Sequence, residues 1–296
     1  MKFLPRKELL TYEEMLRLVR IFSSIGIKKV RITGGEPFVR RDLMNFLTSL
    51  SETKGLEEIH ITTNGVLTEA FIPQLKSIGI SSVNLSVDTF DRDRFLKITK
   101  RDELERVQST YQALLEAEIP LKINAVVMAG QNIEDLIPLA GKSIADPVAV
   151  RFIEEMPFNG TGIVPTGLPW HHQRILEELK RGFPEISKVE DPPHSTSANY
   201  KIPGAKGSVG IIAAYSRTFC GSCNRIRVTS RGELKKCLYD QGQFSIRDLL
   251  RENGDDQYVK ETLMKVCSLR PANGFEAEKN RGIDQPLSES MSVIGG

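Results

Sequence analysis

The first half of the chain alternates two hydrophobic periods. Apolar residues recur at helical spacing after Thr11, which forms a predicted capping box with Glu14, and they recur in the same way in five later segments. Short β-branched runs lie between these segments and indicate strands. The predicted helices span residues 11–26, 41–51, 68–78, 103–116, 133–140 and 171–181, and the predicted strands span 29–33, 59–63, 83–87, 121–127 and 148–153.

Strands that are separated by helical segments predict parallel β/α units with right-handed crossovers. The five strands fall short of the eight that close a full barrel, and the chain begins with a helix, as if a first strand were missing. After Pro157 the alternation gives way to loop signals. We therefore predict an α/β protein with an incomplete (β/α) barrel over residues 1–157 and a C-terminal α+β domain over residues 158–296.

Composition narrows the class of protein. The 296 residues are 40% hydrophobic and 26% charged, as expected for a folded globular chain, and the net charge of +2 is too small for a general nucleic-acid surface. Any anion binding should therefore be local. No apolar run approaches the roughly 18 residues of a membrane helix, and residues 1–6 have no apolar signal-peptide core. We expect a cytoplasmic protein without nucleic-acid or membrane partners.

Three of the four cysteines cluster near the C-terminal end. Cys220, Cys223 and Cys237 follow the spacing Cys-x2-Cys-x13-Cys, which favours metal binding in a reducing compartment. An iron–sulfur cluster, zinc and simple buried thiols all remain open, although the missing second Cys-x2-Cys pair counts against zinc. Three ligands would leave one iron of a four-iron cluster open. Cys267 could be a fourth ligand, but its apolar helical surroundings favour a core residue.

Two arginines lie inside the loop that these cysteines define. Side chains at i and i+2 of an extended segment point the same way, so Arg225 and Arg227 could both face the metal site and grip phosphate. The alternative, two surface arginines on an edge strand, is equally open from this pattern alone.

Polar residues recur where the predicted strands end. Thr33-Gly34-Gly35-Glu36-Pro37 follows the first strand, and its glycines permit close approach to a ligand. The other strands carry Thr62-Thr63-Asn64-Gly65, Ser86 and Asp88, Lys122 and Asn124, and Glu154, Glu155 and Met156. Each residue alone is more often structural, and Lys122 could be a surface lysine. Together they predict one polar mouth at the C-terminal ends of the strands.

Six segments of the chain match a known family in order. They are Phe3-Leu4-Pro5-Arg6, residues 31–37, residues 62–65, residues 84–88, Cys220 to Arg227, and Met291-Ser292-Val293-Ile294-Gly295-Gly296. Together they resemble the GTP 3′,8-cyclase family of radical S-adenosylmethionine (SAM) enzymes. The resemblance implies a lyase that begins molybdenum cofactor (molybdopterin) biosynthesis by converting GTP to 3′,8-cyclo-7,8-dihydro-GTP.

The family has an incomplete barrel and two four-iron clusters. The N-terminal cluster cleaves SAM to a 5′-deoxyadenosyl radical, which abstracts hydrogen from C3′ of GTP, and the C-terminal cluster holds the GTP base at its open iron. The resemblance also implies a homodimer and a downstream partner, cyclic pyranopterin monophosphate synthase.

The resemblance implies a role for each matched residue. The cluster ligands would be Cys220, Cys223 and Cys237; the SAM-binding residues Gly35, Ser86 and Met156; the GTP-binding residues Arg31, Thr62, Lys122, Arg225, Ile226 and Arg227; and the catalytic tail Gly295 and Gly296.

One part of the family pattern is missing. The radical cluster is held by a Cys-x3-Cys-x2-Cys motif just before the segment that matches Phe3-Leu4-Pro5, and this chain begins after it. We expect a chain that lacks its N-terminal segment and is inactive alone. The alternatives are a GTP-binding, single-cluster protein without cyclase activity and a different radical SAM enzyme with an auxiliary cluster. The Arg-Ile-Arg triplet and the Gly-Gly tail count against the last.

Overall fold

The computed structural model describes residues 5–156, 168–240, 242, 244–252 and 254–281. The helices are α1 (Tyr12–Ser24), α2 (Leu43–Ser51), α3 (Ile72–Ser77), α4 (Arg92–Thr99), α5 (Leu104–Glu116), α6 (Leu136–Ala145), α7 (His172–Gly182), α8 (Ile246–Glu252), α9 (Asp256–Ser268) and α10 (Gly274–Arg281). The strands are β1 (Lys29–Ile32), β2 (Glu58–Thr63), β3 (Ser82–Ser86), β4 (Leu121–Val127), β5 (Val148–Glu154), β6 (Ser187–Lys188), β7 (Ala198–Lys201), β8 (Ser208–Ile212), β9 (Arg227–Val228), β10 (Glu233–Lys235) and β11 (Phe244–Ser245).

Within the described ranges, the main sheet has the order β1-β2-β3-β4-β5-β8-β7-β6. Strands β1 to β5 and β8 are parallel, whereas β7 and β6 are antiparallel. The predicted class is confirmed: an α/β incomplete barrel with a further C-terminal part. Because β8 pairs with β5, the sheet continues beyond residue 157, and the division of the chain at that residue stays a prediction.

The two faces of the parallel sheet differ in chemistry. Along β4 the residues Leu121, Ile123, Ala125 and Val127 are buried and alternate with less buried Lys122 and Asn124. The buried set joins the large core that packs under the helices. Because neighbouring side chains of a strand point to opposite faces, the polar positions line the concave face.

In the first half of the chain, one helix was missed by the sequence-based prediction and two helices begin differently from it. Helix α4 was missed because it buries little besides Phe95, so its hydrophobic signal is weak; Asp91 caps it by accepting from the Arg94 amide. The predicted helices at 68–78 and 133–140 each begin with a 3₁₀ turn. The capping box of Thr11 and Glu14 is confirmed.

A second core joins the N-terminal helix to the C-terminal part. Helix α1 contributes Leu18, Ile21 and Phe22 to a cluster with residues of β10, α8 and α9. Cys267 packs against this cluster, as expected for a core residue. None of the described helices combines the length and the apolar character that a membrane crossing needs.

A buried carboxylate fixes the end of β5. Glu154 is 0% exposed, and its oxygens accept hydrogen bonds from the Tyr215 and Ser216 amides, the Ser216 hydroxyl, and the amide and ring of His172 at 2.7–3.0 Å. It therefore connects β5, the start of α7 and the segment that follows β8.

Replacing Glu154 with alanine should lower the free energy of unfolding by about 3–5 kcal/mol, because it strands several buried donors. Glu154→Gln should cost less, since one acceptor oxygen remains. Urea unfolding measures both, and Glu155→Gln is the matched control, expected to stay within about 0.5 kcal/mol of the parent. Equal midpoints for Glu154→Ala and the control would contradict this role.

Candidate functional site

The three clustered cysteines lie on two loops that come together. Cys220 begins a 3₁₀ turn, and its carbonyl accepts a hydrogen bond from the Cys223 amide at 3.2 Å. Cys237 lies on the loop that follows β10. Burial raises the pKa of the Cys237 thiol; a hydrogen bond from the Tyr239 amide opposes this, and the negative charges of Cys220 and Cys223 raise it further. The three sulfurs therefore lie in one another's electric field.

The surroundings of Cys223 favour the ionised form of its thiol. Burial raises its pKa, but the Arg225 amide, the Arg225 charge and the side chains of Arg225 and Arg270 outweigh burial, so the pKa is lowered overall. The Arg225 guanidinium donates to Cys223 Sγ at 3.7 Å. A low pKa favours the thiolate, which is the form that binds metal.

The donor set suits a cluster better than a single ion. Within the part of the chain that the structure describes, no three His, Cys, Asp or Glu side chains converge on a single-ion position. Cysteine thiolates are the usual protein ligands of iron–sulfur clusters, and three of them leave one iron of a four-iron cluster open. A tetrahedral zinc site would need four converging ligands. The residues present therefore fit a four-iron cluster with three cysteine ligands.

Five cations face one another beside this cysteine site. The pKa of Lys122 is lowered to about 8, mainly by desolvation and then by repulsion from the charges of Arg151 and Arg31. Desolvation likewise lowers the pKa of Arg227 to about 10, and the nearby charge of Arg225 is the second-largest cause. The pKa of Arg31 is also lowered to about 10, mainly by desolvation and then by the charges of Arg151 and Arg225. Arg31 lies on the edge strand β1, where part of its surface remains exposed to solvent, so its charge is partly screened. The cations form a strong local anion site on a chain of net charge +2.

Buried polar atoms without a partner point into the same concave face. Among the described residues these include Arg151 Nε, Asn124 Oδ1 and Asn84 Oδ1. Strand register places Asn124 opposite Arg151, and Asn84 opposite Lys122. Because buried polar atoms are normally hydrogen-bonded, these atoms indicate room for a polar ligand. Asn84 also donates to Thr62 Oγ1 at 3.2 Å, so Thr62 belongs to this face.

Arg151 and Asn84 are the site residues that the sequence-based prediction omitted. Both lie at alternate positions of predicted strands, on the same face as Lys122. The available signal was the period of two: Arg151 is a lone charge within the otherwise apolar run of residues 148–153.

The predicted SAM-binding residues lie at the C-terminal strand ends. Gly34 has φ +136°, which favours glycine. Apart from the adjoining residues, no atom of the described part of the chain lies within 4 Å of a Cβ placed on Gly34 or Gly35. Ser86 is exposed at the end of β3. Met156 packs beside Tyr239 and Cys237, next to the cysteine site.

The Glu36 and Asp88 carboxylates stabilise the loops at the C-terminal ends of the strands. Glu36 accepts from Thr63 Oγ1 at 2.8 Å and from the Asn64 amide at 2.7 Å, tying the first strand-end loop to the second, while burial raises its pKa. Asp88 accepts from the Val126 amide at 2.8 Å, and burial raises its pKa to about 6.

Ile226 packs against the second core, and its contact with GTP stays a prediction. Gly295 and Gly296 lie outside the described residues.

The chain resembles proteins of molybdenum cofactor synthesis along its length. The model of the Radical SAM superfamily matches residues 2–141, and that of Molybdenum Cofactor Synthesis C matches residues 148–275. GTP 3′,8-cyclase of Moorella thermoacetica is 35% identical over 98% of this chain and 88% of its own. Molybdenum cofactor biosynthesis protein moc-5 of Caenorhabditis elegans is 34% identical over 98% of this chain, and molybdenum cofactor biosynthesis protein 1 of Drosophila melanogaster is 40% identical over 84% of it.

Coverage of these relatives is unequal. The chain spans 48% of the worm protein and 44% of the fly protein. Among solved structures, SuiB of Streptococcus suis aligns with a TM-score of 0.63 at 16% identity, over 95% of this chain and 70% of that one, which supports the fold alone. Because the Moorella relative matches nearly end to end, the chain belongs to the GTP 3′,8-cyclase family of the radical SAM superfamily.

Proposed function

We propose that this chain binds GTP and SAM and contributes to the cyclisation of GTP to 3′,8-cyclo-7,8-dihydro-GTP, the first step of molybdenum cofactor biosynthesis. The observation that carries the proposal is the juxtaposition of five cations, Arg31, Lys122, Arg151, Arg225 and Arg227, with a three-cysteine site. A nucleoside triphosphate has a polyanionic end for the cations and a base that can reach the cysteine site.

Different residues would bind different parts of GTP. Arg31 on β1, Lys122 on β4 and Arg151 on β5 lie on the same face of the sheet and lower one another's pKa, so they would bind triphosphate oxygens and offset its charge. Arg225 and Arg227 stand between that face and the cysteines and would orient the nucleotide. A four-iron cluster held by Cys220, Cys223 and Cys237 would supply an open iron position for the guanine base.

The SAM side rests on the family resemblance and on the placement of Gly35, Ser86 and Met156 at the strand ends. The radical cluster does not fit the residues present: the four cysteines of these 296 residues are Cys220, Cys223, Cys237 and Cys267. The homodimer and the downstream synthase are supported by the family resemblance, and the cytoplasmic location stays an expectation from the sequence.

The same cysteine count favours a second candidate, a GTP-binding single-cluster protein without cyclase activity. Equilibrium dialysis on the anaerobically reconstituted chain tests what both candidates share, and we expect one GTP per chain. A second assay, with SAM and dithionite, tests the second candidate: both candidates predict that the 296 residues alone produce no 5′-deoxyadenosine, because the radical-cluster cysteines are not among them. Absence of GTP binding would overturn the proposal, and SAM cleavage by this chain would exclude the second candidate.

The pH dependence of GTP affinity should follow the protonation of the Lys122 amine. Its pKa is lowered to about 8 by desolvation and by Arg151 and Arg31, against a smaller opposing effect of Glu58, and Lys29 lowers it slightly further. A bound triphosphate favours the protonated amine, so binding takes up a proton once the free amine has lost it. Affinity should stay flat below pH 8 and weaken above it, by up to about tenfold per pH unit.

Lys122→Arg is the matched control for this profile, because an arginine stays charged across the range. Its affinity should be nearly constant from pH 7 to pH 9. The same depressed pKa means that charged Lys122 destabilises the ligand-free fold below pH 8, and that this cost is relieved as the pH rises toward 10.5. Parallel profiles for the two proteins would show that Lys122 does not contact the ligand.

A further inference from the structure

A buried arginine precedes the first cluster cysteine in an unusual backbone conformation. Arg217 has φ +57°, a left-handed value that is uncommon outside glycine, and its side chain is almost fully buried. Its amide donates to the Ala213 carbonyl at 2.7 Å, and its own carbonyl accepts from the Cys220 amide at 3.1 Å. The backbone of Arg217 therefore starts the turn that carries Cys220.

The side chain of Arg217 contacts two other segments of the chain. Its guanidinium carbon lies 3.6 Å from the ring centroid of Tyr239 and 4.5 Å from that of Phe275. Nη1 donates to the Gly274 carbonyl at 3.0 Å and pairs with Glu278 Oε2 at 2.8 Å. A planar guanidinium can stack on rings and donate in its own plane at once, which an ammonium cannot do.

Both segments lead back to a cysteine. Tyr239 donates from its amide to the Cys237 thiol and from its hydroxyl to the Ala214 carbonyl at 3.1 Å. Gly274 lies against Cys220: a Cβ placed there would stand 3.3 Å from Cys220 Sγ and 3.0 Å from Arg217 Cδ. Arg217 therefore links the Cys220 turn, the Cys237 loop and the start of α10.

We propose that Arg217 is a positioning residue for the iron–sulfur cluster, which sets the Cys220 turn against the Cys237 loop and holds α10 beside Cys220. This inference rests on the proposed function, since it assumes that the three cysteines bind a cluster. Residues that orient metal ligands typically change metal affinity about 10- to 100-fold when they are removed. Loss of Arg217 should thus loosen the cluster without removing a ligand.

The test is the rate at which a chelator extracts iron from the reconstituted chain under anaerobic conditions. Arg217→Met should release iron about 10- to 100-fold faster than the parent. Arg217→Lys keeps a positive charge for Glu278 but loses the stacking on Tyr239 and Phe275. Its iron-release rate should therefore lie between those of the parent and Arg217→Met. Glu278→Gln removes only the ion pair with Arg217, so its iron-release rate should rise less than that of Arg217→Met. This variant keeps the test informative if Arg217→Met folds poorly.

The matched control is Arg94→Met. Arg94 also holds carboxylates together, pairing with Asp135 and Glu134, but it lies on α4, away from the cysteines. Urea unfolding of the cluster-free proteins compares the general loss of stability. Faster release from Arg217→Met than from an equally destabilised Arg94→Met supports the inference.

The outcomes separate this inference from the proposed function. If the parent chain takes up no cluster, the cluster assignment fails and the inference fails with it. If the parent is loaded but Arg217→Met and the parent release iron at the same rate, the inference alone is overturned. It is also overturned if Arg217→Met and Arg94→Met accelerate release equally, because the effect would then be one of overall stability.

Discussion

Replacing Cys223 or Cys237 with serine is expected to abolish the four-iron cluster. Each would leave two thiolates in a site that has three, and no other cysteine can substitute, since Cys267 packs in the second core on α9. A serine hydroxyl is a poor ligand for iron because it does not ionise near neutral pH, whereas the surroundings of Cys223 favour its thiolate. We expect iron and acid-labile sulfide to fall from about four per chain to near background.

Cys267→Ser is the matched control for these variants. It removes a thiol that is also half-buried, so it tests whether any lost cysteine impairs loading. We expect its iron content to equal that of the parent. Full loading of Cys223→Ser, or loss of loading in Cys267→Ser, would mean that the ligand set is different. Stoichiometric zinc in the parent would exclude the iron–sulfur assignment.

Replacing Arg151 with methionine should weaken GTP binding by about 2–4 kcal/mol, roughly 30- to 1,000-fold in Kd. Methionine keeps much of the apolar stem but removes a charge from the centre of the concave face. Among the residues that the structure describes, Arg151 Nε has no hydrogen-bond partner, so this group can donate to a phosphate. The same substitution relieves repulsion on Lys122 and Arg31, so the fold itself should not be destabilised.

The choice of ligand makes this prediction specific. If Arg151 contacts the outer phosphates, Arg151→Met should reduce GTP affinity far more than GMP affinity in equilibrium dialysis. Arg174→Met is a suitable control, because Arg174 stacks on Trp170 at the start of α7 and has no part in the cation group. Equal losses for GTP and GMP would place Arg151 away from the triphosphate.

Much of the fold could be predicted because burial imposes a period on the sequence. The strands at residues 121–127 and 148–153 carry apolar side chains on one face, and a one-residue slip would expose all of them. Helix α4 escaped prediction for the converse reason, since it is held by its cap and ion pairs and buries little apolar surface. The continuation of the sheet into β8 depends on pairing between distant segments, which no local pattern reveals.

The site was predicted in part for similar reasons. Lys122 and the cysteines stand out because their residue types are unusual at those positions and spacings. Arg151 was overlooked because a single charge in an apolar strand gives no sign of its neighbours, and its role emerges only from register with Asn124. Arg217 gave no signal at all, because its partners Tyr239 and Phe275 are brought to it by the fold.

The most direct test of the central claim, that GTP binds between the cations and a cluster held by three cysteines, is electron paramagnetic resonance of the reduced, reconstituted chain. We predict that GTP changes the spectrum of the cluster and saturates at one GTP per chain. Inorganic triphosphate, which can occupy the cations without a base, should displace GTP and restore the original spectrum. A spectrum that GTP leaves unchanged at saturating concentration would contradict the account.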